Sequence, residues 1–481
     1  MQTPMRNIGR LHDAASLLRY FESTGLELPF DAEVRSGPDS PLAQPLTLHG
    51  RTIGNRFAIL PMEGWDCTAD GRPTDLTRRR WQRWGLSGAK LIFGAEAIAV
   101  CPEGRGSPTQ LIMAEETLAD IAALRDLLVD THAQHFATVD DLYVGVQLTH
   151  SGRVSHPHDM DRPEPRTLYH HPLLDGPYDA RDDSAIMSDD EIERVIADFV
   201  KAAVLAQRAG FDFVDVKHCH GYLGHEFLSA VDRPGRYGGS LANRTRFLRE
   251  IVTGIRAAAP GLDIAVRFSA VDFVPFEDGG DDRGRPVSVG DGVYPYAFGG
   301  DGTGLGTDLT EPLAFLDVLA ELGIELVSVS AGAEYNSHVM EPYVSLPVAP
   351  HRPPEDPLIG VARLLSVVAR LKKARPELTH VGSGYSYLQQ WLPNVAQAAV
   401  TQGWADTVGI GRMALSYPDI VTDIIEGRPL QTKRLCDACS WCDISPGFGT
   451  VSGCYTHDEF YRDLPGYERL KRAVKEARSN A

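Results

Sequence analysis

The sequence Asp406-Thr-Val-Gly-Ile-Gly-Arg412 is a short apolar run that ends in glycines and a basic residue. Seven similar runs, rich in β-branched residues, precede it along the chain, and segments with helical apolar spacing lie between them. The runs are 56–62, 91–100, 143–150, 211–218, 263–270, 325–332, 380–385 and 406–412, and the helical segments are 118–134, 190–209, 243–258, 311–322, 358–373 and 387–402. Apolar strands that each precede a helix are typical of a parallel sheet covered by helices.

Eight strand–helix units predict an α/β fold, a closed (β/α)8 TIM barrel with insertions. The periodicity also fits an open doubly wound sheet, so the spacing by itself leaves both architectures open. Ser188-Asp-Asp-Glu191 has the pattern of a capping box, which predicts that the helical segment 190–209 begins there. Two long insertions, 156–187 and 275–310, follow strands, and we expect the second to be a lid, a partner contact or a solvated loop.

Composition and charge exclude several classes of protein. The 481 residues carry a formal net charge of −18, which disfavours binding to nucleic acids and to anionic membranes. The sequence has no apolar run long enough to span a bilayer, and residues 1–13 lack the apolar core of a signal peptide. We therefore expect a cytoplasmic protein. The seven cysteines are an odd number, and four are clustered, so a disulfide framework is not expected.

Glycines and polar residues follow the last two strands, and the carboxyl ends of barrel strands meet at one face. Gly382-Ser383-Gly384 ends the seventh run and Gly411-Arg412 ends the eighth. Small residues let backbone N–H groups approach a phosphate closely, and the Arg412 guanidinium supplies the opposite charge. These two strand ends predict a phosphate-binding site.

Further motifs give the chain a family resemblance. They are Asn55-Arg56, Pro61-Met62, Glu96-Ala97, Pro102-Glu-Gly-Arg105, Gln147-Leu-Thr-His-Ser-Gly-Arg153, Gly210-Phe-Asp212, His220-Gly-Tyr-Leu223, Tyr237-Gly-Gly-Ser-Leu-Ala-Asn-Arg244 and Gly411-Arg412. On these motifs, residues 46–425 resemble the flavin-dependent old yellow enzyme family (NADH:flavin oxidoreductases). Within it they are most similar to the iron–sulfur branch that contains 2,4-dienoyl-CoA reductase and trimethylamine dehydrogenase.

The resemblance implies bound FMN and gives matching positions a role. The positions implied for cofactor binding are Leu60, Pro61, Met62, Glu63 and Ala97 along the isoalloxazine, Gln147 at its pyrimidine edge, Arg267 near N1 and O2, and Ser383, Gly384, Gly411 and Arg412 at the phosphate. Trp65 matches a position that faces the substrate. Relatives often carry a Thr or Cys donor where this chain has Glu63, so the flavin potential and substrate preference are expected to differ.

The fourth strand is implied to carry the catalytic side chains. Relatives often have two histidines there that bind a carbonyl oxygen, and in this chain Lys217 replaces the first of them, whereas His220 and Tyr222 remain. We expect Lys217, His220 and Tyr222 to be catalytic, with Tyr222 as the proton donor. Trp65, Lys217 and His220 are the expected substrate contacts. The alternatives are a structural His220 and a Lys217 paired with Asp215 or Glu63.

Cys436-Asp-Ala-Cys439-Ser-Trp-Cys442 and Cys454 hold four of the seven thiols. Such tetrads bind zinc or an iron–sulfur cluster. Three closely spaced thiols and a distant fourth favour a cubane over a zinc ribbon, and the pattern resembles the [4Fe–4S] site of the same branch. Structural zinc and unmetallated thiols remain alternatives. We thus expect an N-terminal extension (1–45), the FMN-binding barrel (46–430) and a cysteine-rich [4Fe–4S] segment with a C-terminal helix (431–481).

The expected activity is an FMN-dependent ene-reductase that transfers hydride to an activated C=C bond of a small carbonyl- or carboxylate-bearing substrate. The alternatives are an amine dehydrogenase or demethylase that passes electrons through the cluster to an acceptor protein, and a non-catalytic electron-transfer subunit. Relatives of the branch continue into FAD and NAD(P)H domains, whereas this sequence ends at Ala481. We therefore expect reduction by NAD(P)H itself, by a separate reductase or by ferredoxin, in a homo-oligomer without nucleic-acid or membrane partners.

Overall fold

A computed structural model describes residues 8–280, 283–289, 292–333 and 353–480, with backbone alone at 477–480. Strands and helices alternate along the chain. The strands are β1 Phe57–Ile59, β2 Leu91–Ile92 with its continuation Ala97–Ala99, β3 Tyr143–Thr149, β4 Phe213–Val216, β5 Asp263–Ser269, β6 Leu326–Ser330, β7 Thr379–Gly382 and β8 Thr407–Ile410. The helices that follow them are α1 Asp75–Gly85, α2 Leu118–His135, α3 Asp189–Arg208, α4 Arg246–Ala258, α5 Thr310–Glu321, α6 Pro357–Ala374, α7 Leu392–Thr401 and α8 Ile420–Glu426.

The sheet closes on itself. Each strand pairs in parallel with the next, and β8 returns to β1 with Val408 opposite Phe57 and Ile410 opposite Ile59. Because the first and last strands are hydrogen-bonded, the open doubly wound alternative is excluded. Each of the eight apolar runs overlaps a barrel strand, so the predicted (β/α)8 TIM barrel is confirmed.

Side chains fill the barrel interior and close its lower end. A hairpin of Leu46–Leu48 and Arg51–Ile53 precedes β1 and lies against the strand starts, where Arg51 pairs with Asp212 at 2.7 Å. The interior cluster comprises Leu46, Leu48, Ile53, Ala58, Leu60, Leu91, Phe93, Tyr143, Phe213, Ala265, Leu326 and Val381. Because the described residues pack this end of the barrel, we expect a ligand to bind at the carboxyl ends of the strands.

The helices follow the predicted segments with instructive differences. α3 begins at the predicted capping box, where the Ser188 N–H donates to Glu191 at 2.8 Å. α1 lies outside the predicted segments because its arginine-rich sequence masks the face on which Trp81 and Trp84 are buried. The segment predicted at 387–402 becomes α-helical only from Leu392 and follows a 3-10 helix, Tyr385–Trp391, since Pro393 is compatible with a first turn but not with a helix interior.

The peripheral segments pack on the barrel. The extension contains a helix, Ala14–Thr24, and the Trp391 indole N–H donates to the Leu11 carbonyl at 2.8 Å. The two insertions contact each other where Tyr169 stacks on Tyr296 at 5.3 Å. Residues 281, 282, 290 and 291 of the second insertion lie outside the described residues. Across the described ranges, no helix is long and apolar enough to cross a membrane.

Candidate active site at the carboxyl ends of the barrel strands

The Glu63 carboxylate lies at the centre of a polar cluster above the barrel. It accepts hydrogen bonds from Lys217 Nζ at 2.8 Å, Trp65 Nε1 at 2.8 Å and the Tyr222 hydroxyl at 3.1 Å. Trp65 belongs to the loop after β1, as Glu63 does, whereas Lys217 and Tyr222 follow β4. The structure thus brings together three residues predicted to act on substrate and one predicted to contact the flavin.

Lys217 and Tyr222 also contact each other directly. The Lys217 ammonium lies 3.1 Å from the centroid of the Tyr222 ring, where the negative face of the ring attracts a cation. Both side chains are buried, with Tyr222 2% exposed and Lys217 4% exposed, whereas the Glu63 side chain is 15% exposed. Lys217 therefore pairs with Glu63, one of the two acids considered as its partner, and this pairing neutralises both charges.

His220 belongs to the neighbouring part of the site rather than to the Glu63 cluster. Its Nε2 lies 2.7 Å from Ser330 Oγ, and its backbone N–H donates to Ser269 Oγ at 3.0 Å. The backbone is left-handed at φ 63°, an unfavourable conformation for a non-glycine residue that the two serines hold in place. Burial keeps the pKa of His220 well below its usual value, so the imidazole is neutral.

Gln147 and Arg267, predicted at the flavin pyrimidine, share a buried carboxyl group. Asp215 accepts from Gln147 Nε2 at 2.5 Å and from the Arg267 backbone N–H at 2.7 Å. Burial raises the Asp215 pKa to about 7, although these two hydrogen bonds act in the opposite direction. Arg267 Nε is buried and has no hydrogen-bond partner among the described residues, so it is suited to an anionic ligand group.

The strand ends after β7 and β8 provide hydrogen-bond donors of the kind that bind a phosphate. Within the described part of the chain, the buried Ser383 hydroxyl lacks a partner. Gly384 has φ 95°, and the N–H groups of Gly411 and Met413 converge on Ser386 Oγ at 3.4 and 3.3 Å. Together with Arg267, these donors fit FMN. The sequence prediction missed Ser386, for which the only signal was a hydroxyl residue two positions after Gly384.

A buried ion cluster supports the loop that carries Glu63. The Gly64 N–H donates to Glu96 Oε1 at 3.1 Å, and Arg80 bonds both Asp66, at 2.6 and 2.9 Å, and Glu96, at 3.2 Å. A Cβ atom at Gly64 would lie 1.7 Å from the Arg80 guanidinium, so only glycine fits here. The sequence prediction missed this cluster because α1, which supplies Arg80, was not predicted.

The four clustered cysteines surround a common small cavity. Cys436, Cys439, Cys442 and Cys454 line it together with Arg412, Trp441 and His457. Among the described residues, no three of the four sulfur atoms lie within 4.8 Å of one another. A tetrahedral zinc ion with Zn–S bonds of about 2.3 Å would hold its thiolates about 3.8 Å apart. A cubane holds them further apart, because each thiolate binds a different corner iron, so a set of four thiols around one cavity can also hold this group.

The cysteine segment contacts the candidate active site. The Ser452 N–H donates to the Gly64 carbonyl at 3.2 Å, next to Glu63 in the sequence. Asp458 pairs with Arg79 of α1 at 2.8 Å, and the Arg79 guanidinium lies over the Phe460 ring at 4.2 Å. The peptide group of Gly64 is therefore held from one side by the barrel and from the other by the cysteine segment.

Comparisons with known proteins agree with this geometry. The NADH:flavin oxidoreductase / NADH oxidase family model matches residues 41–283, just over half of the chain. An NADPH dehydrogenase from Bacillus pumilus (strain SAFR-032) is 30% identical over 308 residues, which cover 63% of this chain and 76% of that protein.

Solved structures of low sequence identity share the barrel fold. A 2-naphthoyl-CoA reductase in complex with 2-naphthoyl-CoA aligns with a TM-score of 0.60 at 19% identity, over 83% of this chain and 54% of that one. The old yellow enzyme homologue from Zymomonas mobilis aligns with a TM-score of 0.56 at 21% identity, over 88% and 99%. The chain spans about half the length of the 2-naphthoyl-CoA reductase. From the family match and the NADPH dehydrogenase relative together, we conclude that the chain belongs to the NADH:flavin oxidoreductase / NADH oxidase family of old yellow enzyme-like proteins and is a flavin-dependent oxidoreductase.

Proposed function

We propose that the protein is an FMN-dependent ene-reductase that uses NADPH and reduces a C=C bond activated by a carbonyl group. The observation that carries this proposal is the contact between two buried groups, the Lys217 ammonium and the Tyr222 ring, 3.1 Å from ammonium to ring centroid. The ammonium and the Tyr222 hydroxyl both donate to Glu63. Bound FMN would supply the hydride. NADPH as the donor is supported by the NADPH dehydrogenase relatives.

In this proposal Lys217 binds the substrate carbonyl oxygen, and Tyr222 donates a proton to the α-carbon. Lys217 has three N–H donors, of which one is directed to Glu63, so the ammonium can also donate to a substrate carbonyl oxygen. That contact stabilises the negative charge that develops on the oxygen as hydride arrives. Tyr222 supplies the proton that the α-carbon requires. His220, oriented by Ser330 and neutral, serves as a second donor to the same oxygen.

The charge arrangement favours a carbonyl substrate over an amine. The Glu63–Lys217 pair has no net charge, so it leaves no unpaired carboxylate to attract a cationic amine. The Glu63 carboxylate, which could otherwise attract such a cation, already accepts from three donors. Because Lys217 is paired with Glu63, it has no unpaired positive charge to attract the carboxylate of a free acid. An enone or an enoyl thioester is therefore the favoured substrate class.

We also propose that Cys436, Cys439, Cys442 and Cys454 hold a [4Fe–4S] cluster. The proposal is supported by the four thiols around one cavity and by their spacing in the sequence, with three close together and the fourth distant. Its place next to Arg412, one of the residues proposed to hold the FMN phosphate, suits a role in electron transfer to or from the flavin. A ferredoxin or a separate reductase would then be the partner that exchanges electrons with the cluster.

The experiment is reduction of 2-cyclohexenone, crotonyl-CoA and crotonate by the FMN- and iron-reconstituted protein with NADPH in D2O. We expect saturated product from the ketone or the thioester, with solvent deuterium at the α-carbon, and slower reaction of crotonate. Tyr222→Phe should lower the rate about a hundredfold, since a general acid contributes on that order. An absence of saturated product from all three alkenes would refute the proposal.

A further inference from the structure

The partly exposed Glu63 carboxylate is hydrogen-bonded to the buried Tyr222 hydroxyl. Tyr222 is 2% exposed, whereas the Glu63 side chain is 15% exposed and accepts the Tyr222 hydrogen bond at 3.1 Å. A tyrosine that gives its proton to a substrate must recover one before the next cycle. At this degree of burial, Tyr222 has little direct contact with water, so the proton needs a carrier.

Glu63 is held in the position that a carrier requires. Trp65 Nε1 and Lys217 Nζ each donate to it at 2.8 Å, so the carboxylate is fixed by donors from two different strand ends. Its neighbour Gly64 is anchored by Glu96 on one side and by Ser452 on the other. A carboxyl group fixed within hydrogen-bond distance of an acid, with access to water, can pass a proton in either direction.

We propose that Glu63 is the proton relay that returns a solvent proton to Tyr222 after each reduction, an inference that rests on the proposed ene-reductase function. The O–H bond of Tyr222 breaks as a C–H bond forms at the substrate α-carbon, while the β-carbon receives hydride. A hydronium ion or a buffer acid in the solvent protonates Glu63 and is left as water or the buffer's conjugate base, and Glu63 passes that proton to the Tyr222 oxygen. The substrate gains one hydride and one proton, and both side chains return to their starting states.

If Glu63 is the relay, later turnovers depend on it and the first turnover does not. In the wild-type protein Tyr222 starts each cycle protonated, so the first reduction by prereduced protein does not need Glu63. Glu63→Gln keeps an oxygen acceptor for Lys217 and Trp65 but cannot carry a proton. We expect the steady-state rate of 2-cyclohexenone reduction to fall about a hundredfold, and to fall at least tenfold more than the rate of the first turnover.

Chemical rescue distinguishes the relay from a merely structural role. In Glu63→Ala, added formate is expected to restore the steady-state rate at least tenfold, because the small acid replaces the missing carboxyl group; Glu116→Gln, at an exposed glutamate, is the control. Wild-type steady-state rates in Glu63→Gln would overturn the relay, as would an equal loss in the first turnover together with no formate rescue. Failure of the wild-type protein to reduce the alkene would instead refute the proposed function, and the relay with it.

Discussion

Arg412 Nη1 lies 3.4 Å from Ser440 Oγ, between two of the clustered cysteines. The arginine at the start of the loop after β8 thus lines the cavity of the cysteine segment as well as the strand end proposed to hold the FMN phosphate. One cation therefore lies at the boundary of two proposed cofactor sites, so the two proposed sites are neighbours.

Arg412→Met is expected to weaken both proposed sites. Loss of a charge-assisted contact costs about 1.5–3 kcal/mol, which corresponds to FMN binding about tenfold or more weaker. Iron content should also fall, since the same side chain lines the cysteine cavity. Flavin fluorescence titration and iron counts measure the two effects, and Arg208→Met, at a half-exposed surface ion pair, is the control. Unchanged FMN affinity would contradict the proposed role of Arg412.

Replacement of Cys454 by serine is expected to remove the metal centre. Anaerobically reconstituted wild-type protein should contain about four iron and four sulfide ions per chain. Cys454→Ser should lose most of both, while FMN is retained in the barrel. Cys219→Ser, which alters a buried thiol after β4 outside the cluster, is the comparison variant. One zinc ion per chain in place of iron and sulfide would contradict the cubane.

Arg267 is expected to govern flavin binding and reduction together. Its buried Nε lacks a partner among the described residues, and the charge would stabilise the negative charge that grows on the flavin during reduction. Arg267→Gln should therefore lower FMN affinity about tenfold or more and make the flavin reduction potential more negative. Spectroelectrochemistry measures the potential. A variant with unchanged affinity and potential would remove Arg267 from the flavin site.

The buried Asp215 carboxyl group is expected to make the free energy of unfolding depend on pH. Its pKa is raised to about 7 in the folded chain from 3.8, so between these values the folded state binds more protons than the unfolded state. The free energy of unfolding contributed by this group falls as pH rises from about 4 to about 7, and it is level above that. Asp215→Asn removes this slope, so the variant should gain about 2 kcal/mol or more relative to wild type between pH 5 and pH 8. Urea unfolding of both proteins at the two pH values measures the difference, and a pH-independent difference would contradict it.

Much of the fold was accessible from the sequence because strand positions carry a local signal. Each apolar run overlaps its strand, because a barrel strand is buried on both faces and its sequence is therefore a continuous apolar stretch. Closure of the barrel was not encoded locally, because it depends on the pairing of β8 with β1, more than 300 residues apart in the sequence. The buried Arg80 escaped prediction for a similar reason, because arginines usually lie at the surface and its partners Asp66 and Glu96 come from other elements.

The candidate site shows the same division. Family motifs identified Lys217, Tyr222 and Trp65, but not that all three donate to Glu63. Such a convergence depends on side-chain directions at two different strand ends, which spacing along one chain does not specify. The role expected for Glu63 in the sequence was contact with the flavin, and the structure adds a second role as acceptor for the groups that act on substrate.

The most direct test of the account is one anaerobic mixing experiment. The FMN-loaded protein is reduced with one equivalent of NADPH and mixed with 2-cyclohexenone, while the flavin absorbance is followed. We predict that one equivalent of alkene reoxidises the flavin with formation of cyclohexanone, and that Tyr222→Phe slows this step about a hundredfold. A flavin that stays reduced in the presence of the alkene, or one that reoxidises equally fast without Tyr222, would contradict the central claim.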